Sequence, residues 1–333
     1  MDLSTYISNI FKLAASDSDL GRIVSLSMEI INLAIDVYGQ DSFFMSFNGG
    51  KDCTVTLFLL LAVLNIRATT SSSDSDIFPV FFKNKNPELV QTLFSLSKEQ
   101  PNSVSEPHQN STDLRTSFIP IQTSQIRSLE IINFNLEIST LFKNSFDSSE
   151  FLENAFKGSR IRSFLSKGHF DLPADPLPNS PIKTLYIRTS SNFPEVEEFV
   201  QLINTACNLN LVIIENDMKS ALLEYKELHP ECVSCFIGTR RCDPAGKYSD
   251  YFKTCDLGWP DLVRICPVLD WSYTDIWKFI LDLNLPRCSI YEKGYTSVGD
   301  IQHTRANPIL LVNGTYKPAW LLSDSSLERY SRQ

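Results

Sequence analysis

The strongest constraint on the fold of this chain is the segment 43–52, which reads Phe-Phe-Met-Ser-Phe-Asn-Gly-Gly-Lys-Asp. An apolar run ends there in a glycine turn, and a second apolar run, residues 55–64, follows at once. This order predicts a strand, a tight turn and a helix. Gly49 and Gly50 lack a Cβ, so the backbone can turn sharply and approach a ligand closely. The N–H groups at the start of the helix are expected to face outward, where they can hold phosphate.

The segment matches neither of two common phosphate-binding motifs. A P-loop needs Gly-x-x-x-x-Gly-Lys-Ser/Thr and a dinucleotide fingerprint needs Gly-x-Gly-x-x-Gly, and the turn contains neither pattern. Lys51 adds a cation, and Asp52 adds a metal ligand or a group that orients phosphate. The alternative is an ordinary strand–helix turn that happens to contain two glycines.

Length and charge limit the classes of function. The chain has 333 residues, enough for one large α/β domain or two small ones. Its net charge of −9 argues against nonspecific binding to nucleic acid, which depends on Lys and Arg neutralising phosphates. We expect no membrane span and no secretory signal, because long uncharged apolar runs and a basic N-terminal stretch are both missing. These features predict a cytoplasmic protein, and we expect a monomer.

The cysteines favour free thiols over a metal site. Eight cysteines in a chain of this kind are typical of a reducing compartment. Cys232 and Cys235 form a Cys-x-x-Cys with Cys242 and His229 nearby, so a structural zinc site is an alternative. Residues 232–238, however, are predicted to form a buried strand, in which positions three apart point to opposite faces. Buried thiols are therefore the expected outcome.

Apolar spacing outlines the first part of the chain. Helical periodicity predicts helices over residues 3–15 and 20–37, as an N-terminal helical part within residues 1–40. After the strand, the glycine turn and a helix to about residue 67, the composition becomes polar and aperiodic. Residues 68–181 are interpreted as an insertion, partly disordered and partly weakly helical. The alternative is that residues 77–82 form the second strand of the core.

A better candidate for that strand is residues 184–188, Thr-Leu-Tyr-Ile-Arg. Asn192 follows as a predicted helix cap, and Pro194 suits the first turn of the helix. The next predicted elements are strand 211–214, helix 218–228 and strand 233–238. Strands that alternate with helices indicate an α/β fold in which a parallel sheet carries helices on both faces. Such sheets bind ligands outside the carboxyl ends of their strands.

A charged loop is predicted at one of those carboxyl ends. Residues 238–244 read Gly-Thr-Arg-Arg-Cys-Asp-Pro and leave strand 233–238. Arg240 or Arg241 is expected to face phosphate, and Asp243 to bind Mg²⁺ or steady a phosphate partner. The alternative is a plain solvated loop. Since the glycine turn also follows a strand, one ligand site is expected to form from both loops.

Two further segments carry aromatic or basic groups. Trp259 stands in a loop between Asp256 and Arg264, where its ring can stack on a planar ligand while the two charged groups bind the ligand's edge or phosphate. The alternative is a tryptophan that plugs the core. Arg329 and Arg332 lie three residues apart, a spacing that places them on one helical face. They suit a pyrophosphate clamp, although composition alone favours a solvated tail.

Taken together, these motifs resemble those of the eukaryotic, fungal-type FAD synthases, the FMN adenylyltransferases of the adenylylsulfate reductase-like group. The resemblance rests on residues 46–52, 186–198, 238–244, 256–264, 267–271, 294–299 and 328–332. It implies a single domain, residues 1–333, with an adenine nucleotide α-hydrolase-like (PP-loop), Rossmann-like fold. It also implies ATP and FMN as substrates, FAD and pyrophosphate as products, and Mg²⁺ as a cofactor.

The resemblance also assigns roles to individual residues. The catalytic group is Asn48, Asp52, Asp243, Arg329 and Arg332, and Asp243 is also the expected Mg²⁺ ligand. ATP and its phosphates are assigned to Ser46, Phe47, Asn48, Gly49, Gly50, Lys51, Asp52, Tyr186, Arg188 and Gly238. The flavin is assigned to Arg240, Asp256, Trp259 and Arg264.

Two other functions remain open from the sequence. A phosphoadenylylsulfate reductase shares the loop and the Pro-Val-Leu-Asp-Trp of residues 267–271, but it needs a redox-active thiol near its C-terminus, and no cysteine follows Cys288. A non-catalytic flavin or nucleotide binder is expected to lack Asp52, Asp243 or the arginine pair, and all are present. The expected partners are the small molecules ATP and FMN, with no nucleic acid and no membrane.

Overall fold

The computed structural model describes residues 2–69, 161, 164, 165, 180–189 and 191–332. Most of the insertion interpreted at residues 68–181 lies outside this part, as does the alternative strand at 77–82. The helices and strands are numbered below in chain order within the described residues. The division of the chain into a single domain with an insertion stays a prediction.

Two helices precede the first strand in the chain, α1 Leu3–Ala15 and α2 Asp19–Tyr38, and one follows it, α3 Lys51–Thr69. Polar caps begin the first two, because Asp2 accepts from the backbone N–H of Thr5, and Ser18 from that of Gly21. Residues 53–66 of α3 are buried without interruption. A helix that is apolar all round belongs inside the protein, and α1, α2 and a later helix, Tyr273–Asp282, pack against it. None of the described helices is long and apolar enough to cross a membrane.

The remaining elements alternate between strand and helix as predicted. The six strands of the main sheet are β1 Phe43–Ser46, β2 Ile182–Ile187, β3 Leu209–Ile214, β4 Ser234–Phe236, β5 Phe252–Thr254 and β6 Val263–Ile265. The helices are α4 Pro194–Ala206, α5 Met218–Leu228 and α6 Tyr273–Asp282, and a small hairpin pairs β7 Leu311–Val312 with β8 Thr315–Tyr316. Residues 182–187 thus supply the strand beside β1 that the sequence assigned to 184–188.

The sheet has the strand order β3-β2-β1-β4-β6-β5 and is parallel except for the β5–β6 pair. Met45 in β1 pairs with Thr184 on one side and with Phe236 on the other. The chain runs from β1 outward to β3 and then returns to β4 on the opposite side of β1. Because the strand order reverses there, the carboxyl ends of β1 and β4 flank the position where such sheets bind ligands.

The side chains of β1 show that helices cover both faces of the sheet. Phe43 and Met45 belong to the large core that contains α1 to α4 and α6. Phe44 points the other way, into a smaller core where its ring lies 4.5 Å from that of Tyr225 in α5. The period of two along a strand sends neighbours to opposite faces. The predicted α/β fold, with a largely parallel sheet between helices, is confirmed.

The predicted cap at the start of α4 is wrong. Phe193 occupies the cap position without a side-chain hydrogen bond, and Pro194 begins the helix. Asn192 stands one residue too early to cap. Its amide donates instead to the hydroxyl of Tyr186 and to Glu197, each at 2.8 Å.

The argument from opposite strand faces at the Cys-x-x-Cys is also wrong. Strand β4 begins only at Ser234, so the alternation does not reach back to Cys232. Cys232 and Cys235 therefore lie in the same small core, on the α5 side of the sheet. Both are buried, and all eight cysteines are free thiols as expected.

Candidate active site at the carboxyl edge of the sheet

The glycine turn of residues 46–52 lies between the end of β1 and the first turn of α3, and its shape depends on Gly49. That residue has φ +71°, and a Cβ there would lie 3.1 Å from Val200 and 3.2 Å from Val196 of α4. Both the backbone conformation and the close packing therefore favour glycine. Phe47 is fully buried and anchors the turn in the core beside Phe199.

Side chains of the protein already bind two N–H groups of this turn. The side-chain oxygen of Asn48 accepts from the N–H of Gly50 at 3.0 Å and from the thiol of Cys53 at 2.9 Å. The hydroxyl of Tyr291 accepts from the N–H of Lys51 at 2.7 Å. The sequence predicted that these N–H groups are free, which is wrong for these two. Asn48 consequently shapes the turn as well as being a candidate ligand-binding residue.

The loop after β4 lies directly against the start of α3. A Cβ on Gly238 would fall 2.5 Å from the backbone nitrogen of Cys53 and 2.7 Å from the carbonyl carbon of Asp52. Only a residue without a side chain allows this approach. The predicted adjacency of the two loops is therefore confirmed.

Four charged side chains close a ring beneath the two loops. The ammonium of Lys51 contacts Asp52 at 2.9 Å and also contacts Glu328. The guanidinium of Arg240 lies 2.7 Å from Asp52 and 2.5 Å from Glu328. The side chains of Lys51, Arg240 and Glu328 are at most 6% exposed, and that of Asp52 is 21% exposed. Two cations and two carboxylates thus balance each other inside the protein.

The ring controls the protonation of its members. Burial acts to raise the pKa of Asp52, but the charges of Lys51 and Arg240 outweigh burial and hold that pKa below its ordinary value. Burial acts to lower the pKa of Lys51 and of Arg240, and the neighbouring carboxylates reverse this, so both pKa values are raised. All three groups are therefore charged at neutral pH.

The ring also corrects two expectations from the sequence. Lys51 and Arg240 were expected to face a phosphate or flavin, yet their side chains lie inside the protein, drawn there by Asp52 and Glu328. Arg241, the alternative to Arg240, is on the surface and pairs with Asp270.

Asp243 joins the β4 loop to the C-terminal segment. One of its oxygens accepts from the backbone N–H of Arg240 and the other from the guanidinium of Arg329, both at 2.9 Å. The side chain of Asp243 is 21% exposed and that of Arg329 is 38% exposed. Arg329 therefore stands at the open side of the loop with a guanidinium that is only partly engaged.

Arg332 is held against the glycine-containing loop 294–299. Its Nε donates to the hydroxyl of Ser297 at 3.1 Å, and its Nη2 donates to the carbonyl of Val298 at 2.7 Å. A Cβ on Gly299 would lie 1.7 Å from Nη1, so the missing side chain leaves room for the guanidinium. Burial and then the charge of Arg329 lower the pKa of Arg332. The interpretation of this segment as a solvated tail is wrong, because it packs on the protein.

The segment assigned to the flavin, residues 256–264, connects β5 to β6, and β6 is the strand that pairs with β4. Trp259 is 37% exposed, so it does not plug the core. Its backbone N–H closes a turn by donating to the carbonyl of Asp256 at 3.0 Å. Arg264, in β6, lies 3.9 Å from the carboxylate of Asp256 and donates to the carbonyl of Thr254. The ring of Trp259 is thus available to a ligand at the surface.

Tyr186 and Arg188 belong to a polar cluster at the carboxyl end of β2. The hydroxyl of Tyr186, which is 2% exposed, donates to Glu197 at 2.7 Å. Arg188 binds Glu197 at 3.1 Å and Glu215 at 2.9 Å. Burial raises the pKa of Tyr186, and the carboxylate of Glu197 adds to that shift. The hydroxyl of Tyr186 is therefore engaged within the protein.

Sequence reasoning missed three residues that organise the site: Tyr291, Glu197 and Glu328. Tyr291 and Glu328 are 240 and 277 positions from Lys51, so no local pattern connects them to it. Glu328 stands beside Arg329 in a segment that was already singled out. The sequence signal for Glu328 was only that an acidic residue stands among basic ones near a predicted anion site. That signal does not identify the cation to which Glu328 binds.

The comparisons with known proteins agree with this architecture. A family model described as the phosphoadenosine phosphosulfate reductase domain matches residues 217–306. A probable FAD synthase of Schizosaccharomyces pombe is 43% identical over 154 residues, which cover 46% of this chain and 58% of that protein. The flavin adenine dinucleotide synthase of Saccharomyces cerevisiae is 33% identical over 149 residues, which cover 42% of this chain and 48% of that protein.

A solved structure matches the whole fold. The FMN adenylyltransferase of Candida glabrata, in complex with FAD and inorganic pyrophosphate, superposes with a TM-score of 0.61 at 19% identity, covering 100% of this chain and 96% of that chain. The sequence matches span about half the length of the curated relatives. The resemblance to FAD synthases that the motifs indicated is confirmed, and this chain has the fold of the fungal FMN adenylyltransferases.

Proposed function

We propose that the protein is an FAD synthase, which transfers AMP from ATP to the phosphate of FMN and releases pyrophosphate. The observation that carries this proposal is the meeting of three segments at one edge of the sheet. The glycine turn and the β4 loop lie in contact at Gly238, and Arg329 reaches the same loop through Asp243. Similarity to the FAD synthases of two yeasts supports the choice of FMN and ATP as substrates.

The reaction needs no nucleophile from the protein. A phosphate oxygen of FMN attacks the α-phosphorus of ATP, the bond from that phosphorus to the bridging oxygen breaks, and pyrophosphate leaves with the electron pair. Four phosphate groups bring a large negative charge into one pocket. Catalysis then depends mainly on positioning and on charge neutralisation. The two C-terminal arginines can supply this, together with the N–H groups of the glycine turn other than those of Gly50 and Lys51, which Asn48 and Tyr291 already bind.

The two C-terminal arginines are better placed than the buried cations to neutralise phosphate charge. Lys51 and Arg240 are balanced by Asp52 and Glu328, so they add little net potential at the site. Arg329 has one carboxylate partner and is 38% exposed. The Arg332 guanidinium is bound by neutral oxygens of Ser297 and Val298, and it forms no ion pair with a carboxylate among the described residues. We therefore assign the neutralisation of the departing pyrophosphate to Arg329 and Arg332.

The other proposed contacts follow the segments of the site. Ser46, Phe47, Asn48, Gly49, Gly50, Asp52, Tyr186, Arg188 and Gly238 line the ATP side through their loops, with Asn48 and Asp52 close to the reacting phosphates. Asp256, Trp259 and Arg264 take the flavin, with the partly exposed indole ring stacked on the isoalloxazine. Lys51 and Arg240 are assigned a supporting role within the buried ring, since neither side chain reaches the surface.

The described residues do not form a ready-made metal site. No group of three or more His, Cys, Asp or Glu side chains among them is placed to hold a metal ion. Both oxygens of Asp243 already accept hydrogen bonds. Magnesium usually keeps several waters and binds through one or two carboxylates plus substrate phosphates. We therefore propose that Mg²⁺ would enter with ATP, that Asp243 would be the carboxylate that holds it, and that the ion would help to neutralise the phosphates.

The reductase alternative is less well supported by the thiols. Burial raises the pKa of all eight cysteines: Cys53, Cys207, Cys232, Cys235, Cys242, Cys255, Cys266 and Cys288. The pKa of Cys288 is raised to about 11. A redox-active cysteine instead needs a lowered pKa, because the thiolate is the nucleophile. A non-catalytic binder remains the rival that only an activity measurement separates from the enzyme.

The test is an incubation of the purified protein with FMN, ATP and Mg²⁺, followed by chromatography for FAD and an assay for pyrophosphate. We expect both products in equal amounts, and neither product when ATP is omitted. The matched control is Arg332→Ala, which should bind FMN but form FAD slowly. Binding of FMN without FAD formation by the unaltered protein would identify a non-catalytic binder. The cytoplasmic location and the monomeric state stay predictions, to be checked by fractionation and by light scattering.

A further inference from the structure

We propose that Glu328 is a positioning residue that fixes the C-terminal arginine pair against the glycine turn, an inference that rests on the proposed function. Its side chain is 6% exposed and reaches two segments that are distant in sequence. One carboxylate oxygen contacts the ammonium of Lys51 at the start of α3. Both oxygens accept from the Nη2 of Arg240 in the β4 loop, each at 2.5 Å.

The backbone around Glu328 is anchored independently of its charge. The hydroxyl of Thr296 donates to the carbonyl of Glu328 at 2.7 Å, and the amide of Asn307 donates to the carbonyl of Leu327 at 2.9 Å. Thr296 and Asn307 are both fully buried. The position of residue 328 is therefore fixed by its side chain on one side and by its backbone on the other.

The next residue along the chain shows what this anchor does. Arg329 follows Glu328 directly and binds Asp243, three residues beyond the Arg240 that Glu328 holds. Arg332 lies one turn later, beside Ser297 in the loop that contains Thr296. Each arginine is thus placed relative to a loop that Glu328 also contacts. Small displacements of such groups are costly, since a shift of about 1 Å can lower a rate about a hundredfold.

The charges show what the carboxylate of Glu328 contributes to the buried ring. Without its carboxylate, Lys51 and Arg240 would share only Asp52, and the buried ring would carry one excess positive charge. Removing one partner of a buried ion network leaves an uncompensated buried charge, which the structure relieves by moving. The movable part is the C-terminal segment, because α3 and β4 are fixed in the core. Glu328 itself acts through the arginines and does not contact the substrates.

The kinetic test uses Glu328→Gln, which keeps the size of the side chain and removes its charge. We expect kcat to fall about a hundredfold, with smaller changes in the KM of FMN and of ATP. In an Arg329→Ala background the same substitution should lower kcat no more than about twofold further, because coupled residues are not additive. Glu224→Gln, an exposed glutamate in α5, is the matched control and should not change kcat. Full additivity of the two substitutions, or a kcat near that of the unaltered protein, would overturn the proposal.

A second measurement does not depend on activity. Hydrogen exchange of peptides spanning residues 325–332 should be faster in Glu328→Gln, while peptides from β1 and α3 exchange as before. Unchanged exchange in residues 325–332 would refute the positioning role even if the unaltered protein made no FAD. Lack of FAD formation by the unaltered protein would instead refute the proposed function. Should Glu328→Gln fail to fold, Thr296→Val keeps the charges of the ring and removes the hydroxyl that donates to the carbonyl of Glu328 and accepts from the amide of Asn307. The same non-additivity with Arg329→Ala is expected.

Discussion

The hydroxyl of Tyr291 accepts a hydrogen bond from the backbone N–H of Lys51 at 2.7 Å. Tyr291 is 1% exposed and comes from the short helix Ser289–Lys293, far along the chain from α3. The bond satisfies one of the N–H groups that the first turn of a helix leaves without an internal partner. It also ties the C-terminal third of the chain to the glycine turn.

Tyr291→Phe should lower the free energy of unfolding by about 1–2 kcal/mol, because a buried donor is left unpaired. Urea unfolding followed by circular dichroism measures this difference. The matched control is Tyr225→Phe, since the hydroxyl of Tyr225 has no hydrogen-bond partner among the described residues. Equal losses in the two variants would show that the Tyr291 bond does not stabilise the turn.

Asp243→Ala should abolish turnover while the fold survives. The carboxylate holds Arg329 and the N–H of Arg240 at the edge where the phosphates are proposed to react. Loss of one preorganised charge-stabilising group costs about 3–4 kcal/mol in the transition state. Steady-state kinetics give kcat, and thermal unfolding reports the fold. Asp282→Ala, at an exposed position in α6, is the control, and near-normal turnover by Asp243→Ala would contradict the assignment.

The outline of the fold was predictable because each element has a local signal. The glycine turn, the apolar run of α3 and the alternation after residue 182 predicted the parallel sheet and the edge that carries the site. The start of α6 has an equally local signal, since Ser272 and Asp275 stand three residues apart and form a capping box. In these places propensity, patterning and turn chemistry agree, which is the condition under which sequence specifies structure.

The partners of the charged groups were not predictable in the same way. Lys51 was expected to face a phosphate, and Glu328 was given no role of its own, although the two are in contact. No periodicity relates residues that are 277 positions apart. Whether a cation faces a ligand or a buried carboxylate depends on the tertiary fold alone. The partners of Asn192 were also set by the tertiary fold. Its side chain does not cap α4 and donates instead to Tyr186 and Glu197.

Trp259→Ala should chiefly raise the KM for FMN, by about tenfold, with a smaller change in kcat. Stacking on a planar ring contributes about 1–3 kcal/mol, and it acts equally on ground state and transition state. The ring is 37% exposed, so its removal should hardly change the stability of the protein. Kinetics with FMN varied at saturating ATP make the test. Trp259→Phe keeps a smaller ring, so its KM for FMN should lie between those of the unaltered protein and Trp259→Ala. A lower kcat with an unchanged KM for FMN would contradict stacking of Trp259 on the flavin.

Acid should remove the contribution of Asp52 to stability. Lys51 and Arg240 hold its pKa in the folded protein below the value of about 3.9 expected for the unfolded chain. A lowered folded pKa means that the contribution is complete above about pH 4 and disappears as the pH falls through the folded pKa. Asp52→Asn should therefore lower the free energy of unfolding by roughly 3 kcal/mol at pH 7.

The difference between Asp52→Asn and the unaltered protein should shrink between about pH 4 and pH 3. Urea unfolding at a series of pH values measures it. Asp41→Asn, at an exposed position before β1, controls for the loss of a carboxylate elsewhere. A difference that stays constant down to pH 3, or that grows with acid, would show that the buried ring does not depend on the charge of Asp52.

Arg329→Ala and Arg332→Ala should chiefly lower kcat, whereas Trp259→Ala should chiefly raise the KM for FMN. Both guanidinium groups lie on the body of the protein, one against Asp243 and the other over Gly299. Their charge matters most as pyrophosphate departs, so kcat should fall about a hundredfold or more while the KM for FMN changes less. Arg332→Lys keeps the charge but lacks the planar guanidinium whose Nε and Nη2 bind Ser297 and Val298 separately, so it should recover only part of kcat. The measurement is steady-state kinetics at saturating ATP together with pyrophosphate release. Wild-type kcat in both alanine variants would mean that the arginines only stabilise the packed C-terminal segment, and the assignment of the clamp would be wrong.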